Sequence, residues 1–307
     1  MHTNGAATTA SQEREERPLR PLLRLAILAA YIFLLFLVEV AIAGALGVVV
    51  PPLRTLLLEP EASGGAGRAL AAQLLVTLAV LAAVYVARRT LDGRSFVSLG
   101  LEPHSALPHL AVGVVLGGLA GLVVPLALLV RGVTLQPGHA SAGAVVASLL
   151  VMAAGALGEE VLFRGYILAN LEEEWGMPAA VLGSAVLFAG ARLLNPHTGL
   201  WAFAGSLALG VALAVVVVAF RSLWLATGYH AAWNVVAGTL FGLPVSGLAA
   251  GGLWSLTDTS PVPAWLSGGD FGPAASLPLL ALHLLVAAGM LLLRYRPAAP
   301  QAGTFSR

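Results

Sequence analysis

Leu25 to Val50 form one apolar run, longer than the roughly 20 residues a helix needs to cross a hydrocarbon core about 30 Å thick. The run also exceeds a signal-peptide core and lacks a small-residue cleavage site, so it reads as a retained first span. The same ruler marks eight segments in all, near residues 24–50, 69–87, 108–130, 143–171, 179–195, 199–219, 222–241 and 276–293. Breakers lie between them: Pro51-Pro52, Gly64-Gly65, Gly132 to Gly138, and a Gly/Pro/Ser-rich stretch from Gly242 to Pro273. The fold class is therefore an all-α polytopic membrane protein with about eight transmembrane helices.

Composition closes off the alternatives. The 307 residues are 58% apolar and only 10% charged, against about a quarter charged in a soluble domain. No basic block is interleaved with aromatics, so no nucleic acid is expected as a partner. The chain has no cysteine, which removes disulfides, thiolate metal sites and a cysteine nucleophile. All sixteen basic residues are arginine, which with the high Ala, Gly, Leu and Val content reads as a GC-rich coding bias; the expected location is a bacterial cytoplasmic membrane.

Arginine placement orients the chain, because short arginine-rich loops stay on the cytoplasmic side. With the N-terminus inside, Arg14, Arg17, Arg20, Arg24, Arg88, Arg89, Arg94, Arg221, Arg294, Arg296 and Arg307 fall inside, and Arg54, Arg68 and Arg131 fall outside. Both termini are then cytoplasmic. Residues 1–23 are polar and read as a disordered cytoplasmic tail. Residues 24–87 hold two N-terminal spans, 88–245 the core of the chain, and 246–307 a long loop, the last span and a short tail.

An ionisable group inside the membrane is costly unless paired or hydrated, so each one marks a candidate site. Three segments carry them. In Gly158-Glu159-Glu160-Val161-Leu162-Phe163-Arg164-Gly165, Glu160 and Arg164 stand four apart in the favourable order for a helical ion pair. Glu159 is rotated by about 100° from Glu160, which leaves it free to act as a general base. The competing reading is a buried ion network that only fixes packing. In Gly228 to Asn234, His230 and Asn234 share a helix face. They suit a metal, a water or a developing oxyanion. In Phe188-Ala189-Gly190-Ala191-Arg192, Arg192 is either a site residue or a snorkelling interfacial arginine. At about 1.5 Å per residue, Glu159 and Arg192 lie roughly 20 Å, and His230 roughly 12 Å, from the cytoplasmic ends of their helices. Three helices thus present polar groups toward one cavity.

These residues resemble the CPBP family, which includes type II CAAX prenyl proteases of the Ras-converting-enzyme kind and bacterial homologues linked to bacteriocin processing and self-immunity. The family pattern EExxxR, FxxxH, HxxxN is matched by Glu159-Glu160-Val161-Leu162-Phe163-Arg164 and by His230-Ala231-Ala232-Trp233-Asn234. Leu91 to Phe96, Leu99-Gly100-Leu101 and Leu194-Asn195-Pro196 add to the similarity, which covers residues 90 to 245. The second motif departs from it: Phe188 is in place, but its histidine is replaced by Arg192. The resemblance implies that this histidine acts with Glu159 on the attacking water, and that His230 and Asn234 stabilise the oxyanion. Arginine has no lone pair with which to ligate a metal or accept a proton.

The resemblance thus implies an intramembrane endopeptidase that hydrolyses peptide bonds of membrane-associated proteins or peptides. Its candidate catalytic residues are Glu159, Glu160, Arg164, Arg192, His230 and Asn234. Three outcomes stand for the altered motif: Glu159 acts alone as base with Arg192 polarising the carbonyl, His197 substitutes, or hydrolysis is lost. The last is an inactive membrane scaffold or immunity-type protein. A proton-coupled transporter ranks lower, because no repeated half with a matching broken helix is visible. No cofactor is certain; the family's chemistry is read both as glutamate-dependent and as dependent on a divalent metal such as zinc. The expected partners are the lipid bilayer and a membrane-bound peptide or protein substrate.

Overall fold

The computed structural model describes residues 19–49, 66–257 and 261–294. Arg14, Arg17, Arg54, Arg296 and Arg307 and most of the expected N-terminal tail lie outside them, as does the side chain of Arg68. The chain is built from α1 (Pro21–Val49), α2 (Ala66–Thr90), α3 (Pro103–Val130), α4 (Ala142–Glu159), α5 (Leu168–Trp175) and α6 (Met177–Ala191), followed by α7 (Leu200–Phe220), α8 (Leu223–Asn234), α9 (Ala264–Ser267) and α10 (Leu277–Arg294). All eight expected spans fall on helices. Six helical stretches among the described residues are long and apolar enough to cross a membrane: Pro21–Glu39, Ala69–Thr90, Phe96–Val130, Ala142–Trp175, Met177–Leu194 and Leu200–Phe220.

α8 and α10 fall short of that measure for different reasons. Among the described residues α10 contributes a shorter apolar stretch, Leu277–Leu292. α8 carries Thr227, Tyr229, His230 and Asn234, all buried, so its polar groups face protein. Outward-facing side chains are apolar throughout: Phe33 on α1, Leu78 on α2, Leu119 on α3, Leu182 on α6 and Leu285 on α10 are each exposed by more than half. Apolar surface that continuous is not kept in water, and the protein is an integral membrane protein.

Two departures from the sequence reading concern the ends of elements. Pro21 to Leu23, expected in the tail, form the first turn of α1. Proline suits a first helical turn, because its missing N–H would have no partner there. Gly132 to Gly138 and Gly242 to Pro273, expected as plain loops, contribute strands β1 (Thr134–Pro137) and β2 (Trp254–Thr257). These pair antiparallel, with Thr134 opposite Thr257 and Pro137 opposite Trp254. The ribbon ties the loop after α8 to the loop before α4.

Among the six long spans α7 is the most enclosed, buried along one continuous run from Ala212 to Val218. α3 and α8 meet through their backbones. A Cβ added at Gly113 would sit 2.2 Å from the Leu225 carbonyl oxygen, and one at Gly117 would sit 2.1 Å from that of Tyr229. Without a hydrophobic drive between helices in lipid, such small-residue stripes permit the close contact that holds a pair together. Here they fix the helix that carries His230.

At the end of the bundle carrying Arg88, Arg89 and Arg94, an ion network joins α1, α2 and α5. Arg24 bonds Glu173 through both terminal nitrogens, at 3.1 and 3.2 Å. Arg88 reaches Asp92 at 2.8 Å and Ser98 at 2.9 Å, and Tyr166 donates to Asp92 at 3.2 Å.

Candidate functional site

The two motif-bearing helices change their winding at the motifs. α4 ends at Glu159 and passes into a π-helical segment, Glu160–Ile167, before α5; α8 ends at Asn234 and passes into another, Val235–Leu240. Wider π turns often mark functional sites, because they re-aim side chains against the neighbouring α register. α6 stops at Ala191, and Arg192 opens a 3-10 turn, Arg192–Leu194. Arg192 thus sits near the end of the span Met177–Leu194, where the α-helix tightens.

Five of the six expected residues converge. Arg192 donates to Glu159 Oε2 at 2.6 Å. His230 sets its Nδ1 2.8 Å from Glu160 Oε1 and its Nε2 3.7 Å from Glu159 Oε2. Arg164 donates from Nη1 to the same Glu160 oxygen at 3.2 Å, the i,i+4 pairing read from spacing. Asn234 touches none of these groups through a described hydrogen bond. It lies buried one turn beyond His230, its Oδ1 without a partner. His197 is exposed, in left-handed backbone after Pro196 (φ 55°), and makes no described hydrogen bond to Glu159 or His230.

The two glutamates occupy different surroundings. The Glu160 side chain is fully buried and bonded by an arginine and a histidine, whereas that of Glu159 is 36% exposed. Because a carboxylate only accepts, Glu160 holds a histidine proton on Nδ1 and leaves Nε2 turned toward Glu159 and Arg192. Phe188, buried in α6, is the hub of the packing: the guanidinium carbons of Arg164 and Arg192 lie over its ring at 4.0 and 4.8 Å. The His230 ring meets it edge-on at 6.2 Å. Cation–π contact of this kind is worth more when desolvated, so Phe188 stabilises two like charges near each other.

Ser246 is the participant that spacing could not find. It lies in the segment read as a loop, in left-handed backbone (φ 54°). Its hydroxyl accepts from Arg192 Nη1, and its carbonyl accepts from Asn195 Nδ2 at 3.0 Å. The only hint in the sequence is the Ser-Gly pair at 246–247, a turn signal. The donor set does not suit a divalent ion. Among the described residues no three His, Asp or Glu side chains gather as metal ligands, and the guanidinium of Arg192 already holds Glu159.

Comparison with known families places this geometry. Residues 141–236 match the model of the type II CAAX prenyl endopeptidase Rce1-like family. The similarity to that family is confined to this segment, under a third of the chain. The segment contains both π segments' entry points and all six candidate residues, and is narrower than the resemblance over residues 90–245. Ser246, with β2 and α10, lies outside the matched segment. No curated protein and no solved structure matches the chain.

Proposed function

We propose that the chain is an intramembrane endopeptidase of the CAAX-protease type, cleaving peptide bonds of membrane-associated proteins or peptides. The observation that carries this reading is the division of labour between adjacent carboxylates: Glu160 is buried and bonded to Arg164 and His230, while Glu159 is partly open and held by one oxygen only. A base must be reachable and oriented, and Glu159 is both.

In this mechanism a water sits between Glu159 and His230 Nε2. Glu159 takes its proton as the oxygen attacks the substrate carbonyl carbon. The developing oxyanion is stabilised by N–H groups of Arg192, with the Asn234 amide one turn beyond His230 as a further donor. Collapse of the tetrahedral species breaks the C–N bond, and Glu159 returns the proton to the leaving amine. Glu160 and Arg164 keep the His230 ring in its tautomer and orientation. No step passes through a metal.

A second reading, a non-catalytic scaffold that retains the fold, draws on one observation: a fixed cation stands at the second-motif position and pairs with Glu159. The two readings separate in proteoliposomes offered a library of lipid-tethered quenched peptides. Cleavage by the wild type that Glu159→Gln abolishes supports the endopeptidase. Absence of cleavage by the wild type, with cleavage gained by Arg192→His, identifies the scaffold.

A further inference from the structure

The inward faces of α1 and α2 turn polar at one depth. On α1 the stripe Leu28, Ile32 and Leu35 packs on the core and is continued, at the same helical spacing, by Glu39. On α2 the buried Ala87 and Val84 and the partly buried Val80 are continued by Thr77 and Gln73. Arg24, Arg88 and Glu173 are joined by ion pairs at the arginine-rich end. From that common level Glu39, Gln73 and Glu159 stand fourteen or fifteen residues away along their own helices, about 20 Å at the rise of a helix. The polar layer on α1 and α2 is therefore level with the candidate base, at a depth where polar side chains are costly unless partnered.

Gln73 reaches across to α4. A Cβ added at Gly155 would lie 3.4 Å from Cδ and Nε2 and 3.6 Å from Oε1 of its amide, so the amide rests on the turn before Glu159. Gly155 and Glu159 share a helix face. Helical side chains point back along the helix, which leans Glu159 toward the turn that carries the amide. Thr77 by itself accounts for the tie between the two helices: buried, it accepts from Gln73 Nε2 and donates to the Ala154 carbonyl, both at 3.1 Å. Gln73 Oε1 makes no hydrogen bond among the described residues. Its side chain, like Gly155 and Glu159, is only partly buried.

We propose that Gln73 is a substrate-positioning residue, its Oε1 accepting a main-chain N–H of an unwound peptide whose scissile carbonyl lies at Arg192. The inference rests on the endopeptidase reading. A helical substrate must unwind before a base and a water can reach its peptide bond, and in hydrocarbon each freed N–H then needs an acceptor. Arg192 offers only donors, which serve carbonyls; the amide oxygen of Gln73 serves the N–H groups that Arg192 cannot. α2 lies outside the segment that matches the CAAX endopeptidase family, so the family motifs assign Gln73 no part.

The test is peptide binding to the full chain carrying Glu159→Gln, which needs no turnover. A library of palmitoylated, fluorescein-labelled short peptides is screened by anisotropy on this protein in nanodiscs. The tightest binder is then remade with each amide N-methylated in turn. At one position N-methylation is expected to weaken binding about five-fold, the size of one hydrogen bond. Gln73→Met, added to the same protein, should weaken the parent peptide equally, and the two changes together should do no more than either alone. Gln73→Glu, which keeps an acceptor oxygen of the same reach, should retain the binding. Leu78→Ala, on the lipid-facing side of α2, should leave it unchanged, and thermal melts check that every form is folded. Losses that multiply at every position, unaltered binding by Gln73→Met, an equal loss in Leu78→Ala, or no peptide bound at all overturn the proposal. Cleavage by the wild type is scored separately. Gln73-dependent binding without cleavage keeps the subsite and removes the peptidase, whereas cleavage with binding indifferent to Gln73 removes the subsite alone.

Discussion

Arg192 Nη2 lies 2.6 Å from Glu159 Oε2, so the residue that departs from the family motif holds the carboxylate that the motif leads one to call the base. The same nitrogen is 3.4 Å from His230 Nε2. A cation in that position can organise negative charge but cannot accept the proton of a water, and the chemistry assigned to Glu159 follows from that division.

If Arg192 stabilises the oxyanion, Arg192→Ala lowers kcat on a tethered peptide by about 10²- to 10³-fold, the cost of one such donor, with KM little changed. Steady-state kinetics in proteoliposomes measure this. An equal rise in KM with kcat intact would assign Arg192 to substrate binding instead.

Glu159 and Glu160 are expected to differ in what their loss does. Glu159→Gln abolishes cleavage and leaves the protein folded in detergent. Glu160→Gln removes one partner from a fully buried pair with Arg164, a change that costs about 3–5 kcal/mol. Thermal melts of the two variants should separate accordingly, with only Glu160→Gln strongly lowered.

Ser246 is a positioning residue for Arg192, acting through its hydroxyl. Ser246→Ala is expected to reduce kcat by about ten-fold or more, the size of one hydrogen bond to a charged group at about 1.5–3 kcal/mol, with the melting temperature nearly unchanged. Ser246→Thr, which restores a hydroxyl, should recover part of the rate. A structural role alone would leave kcat untouched in both.

Gly117 and Gly118 are neighbours with opposite surroundings. A methyl at Gly117 would collide with the Tyr229 carbonyl, whereas nothing lies within 4 Å of one at Gly118. Gly117→Ala should therefore destabilise by about 1–3 kcal/mol, the usual range for overpacking, and displace the helix carrying His230. Gly118→Ala should be neutral or slightly stabilising, since alanine is the better helix former. Melting of both variants in detergent decides it.

The arginine distribution carries a topological expectation. Reporter fusions after Arg89, within Gly242 to Pro273, and at the C-terminus should read inside, outside and inside. A cytoplasmic signal from the middle site would reverse the orientation.

Local spacing made part of this legible. The helical segments follow from apolar run length, and the Glu160–Arg164 contact follows from four-residue separation on a helix. Partners distant in the chain did not follow. That His230 bonds Glu160 rather than acting with Asn234 alone depends on where two helices cross and on the π turns after Glu159 and Asn234. No local periodicity encodes either. The pairing of Thr134 with Thr257 and the reach of Ser246 to Arg192 are of the same kind. Both are set by the return of a loop across the bundle, which short turn-rich segments do not announce.

The sharing of charge between neighbouring helices bears on how the chain enters a bilayer at all. The mid-helix groups from Glu159 to Arg164 comprise two carboxylates and one guanidinium, and the next helix ends in Arg192. Each segment alone would carry a net charge into hydrocarbon at a cost of several kcal/mol. Together Glu159, Glu160, Arg164 and Arg192 balance in charge, and the tight connection at Gly176 (φ 78°) keeps the two segments side by side. The two segments therefore form a unit of insertion: biogenesis favours their entry as a hairpin, the ion pair closing before either helix meets lipid alone.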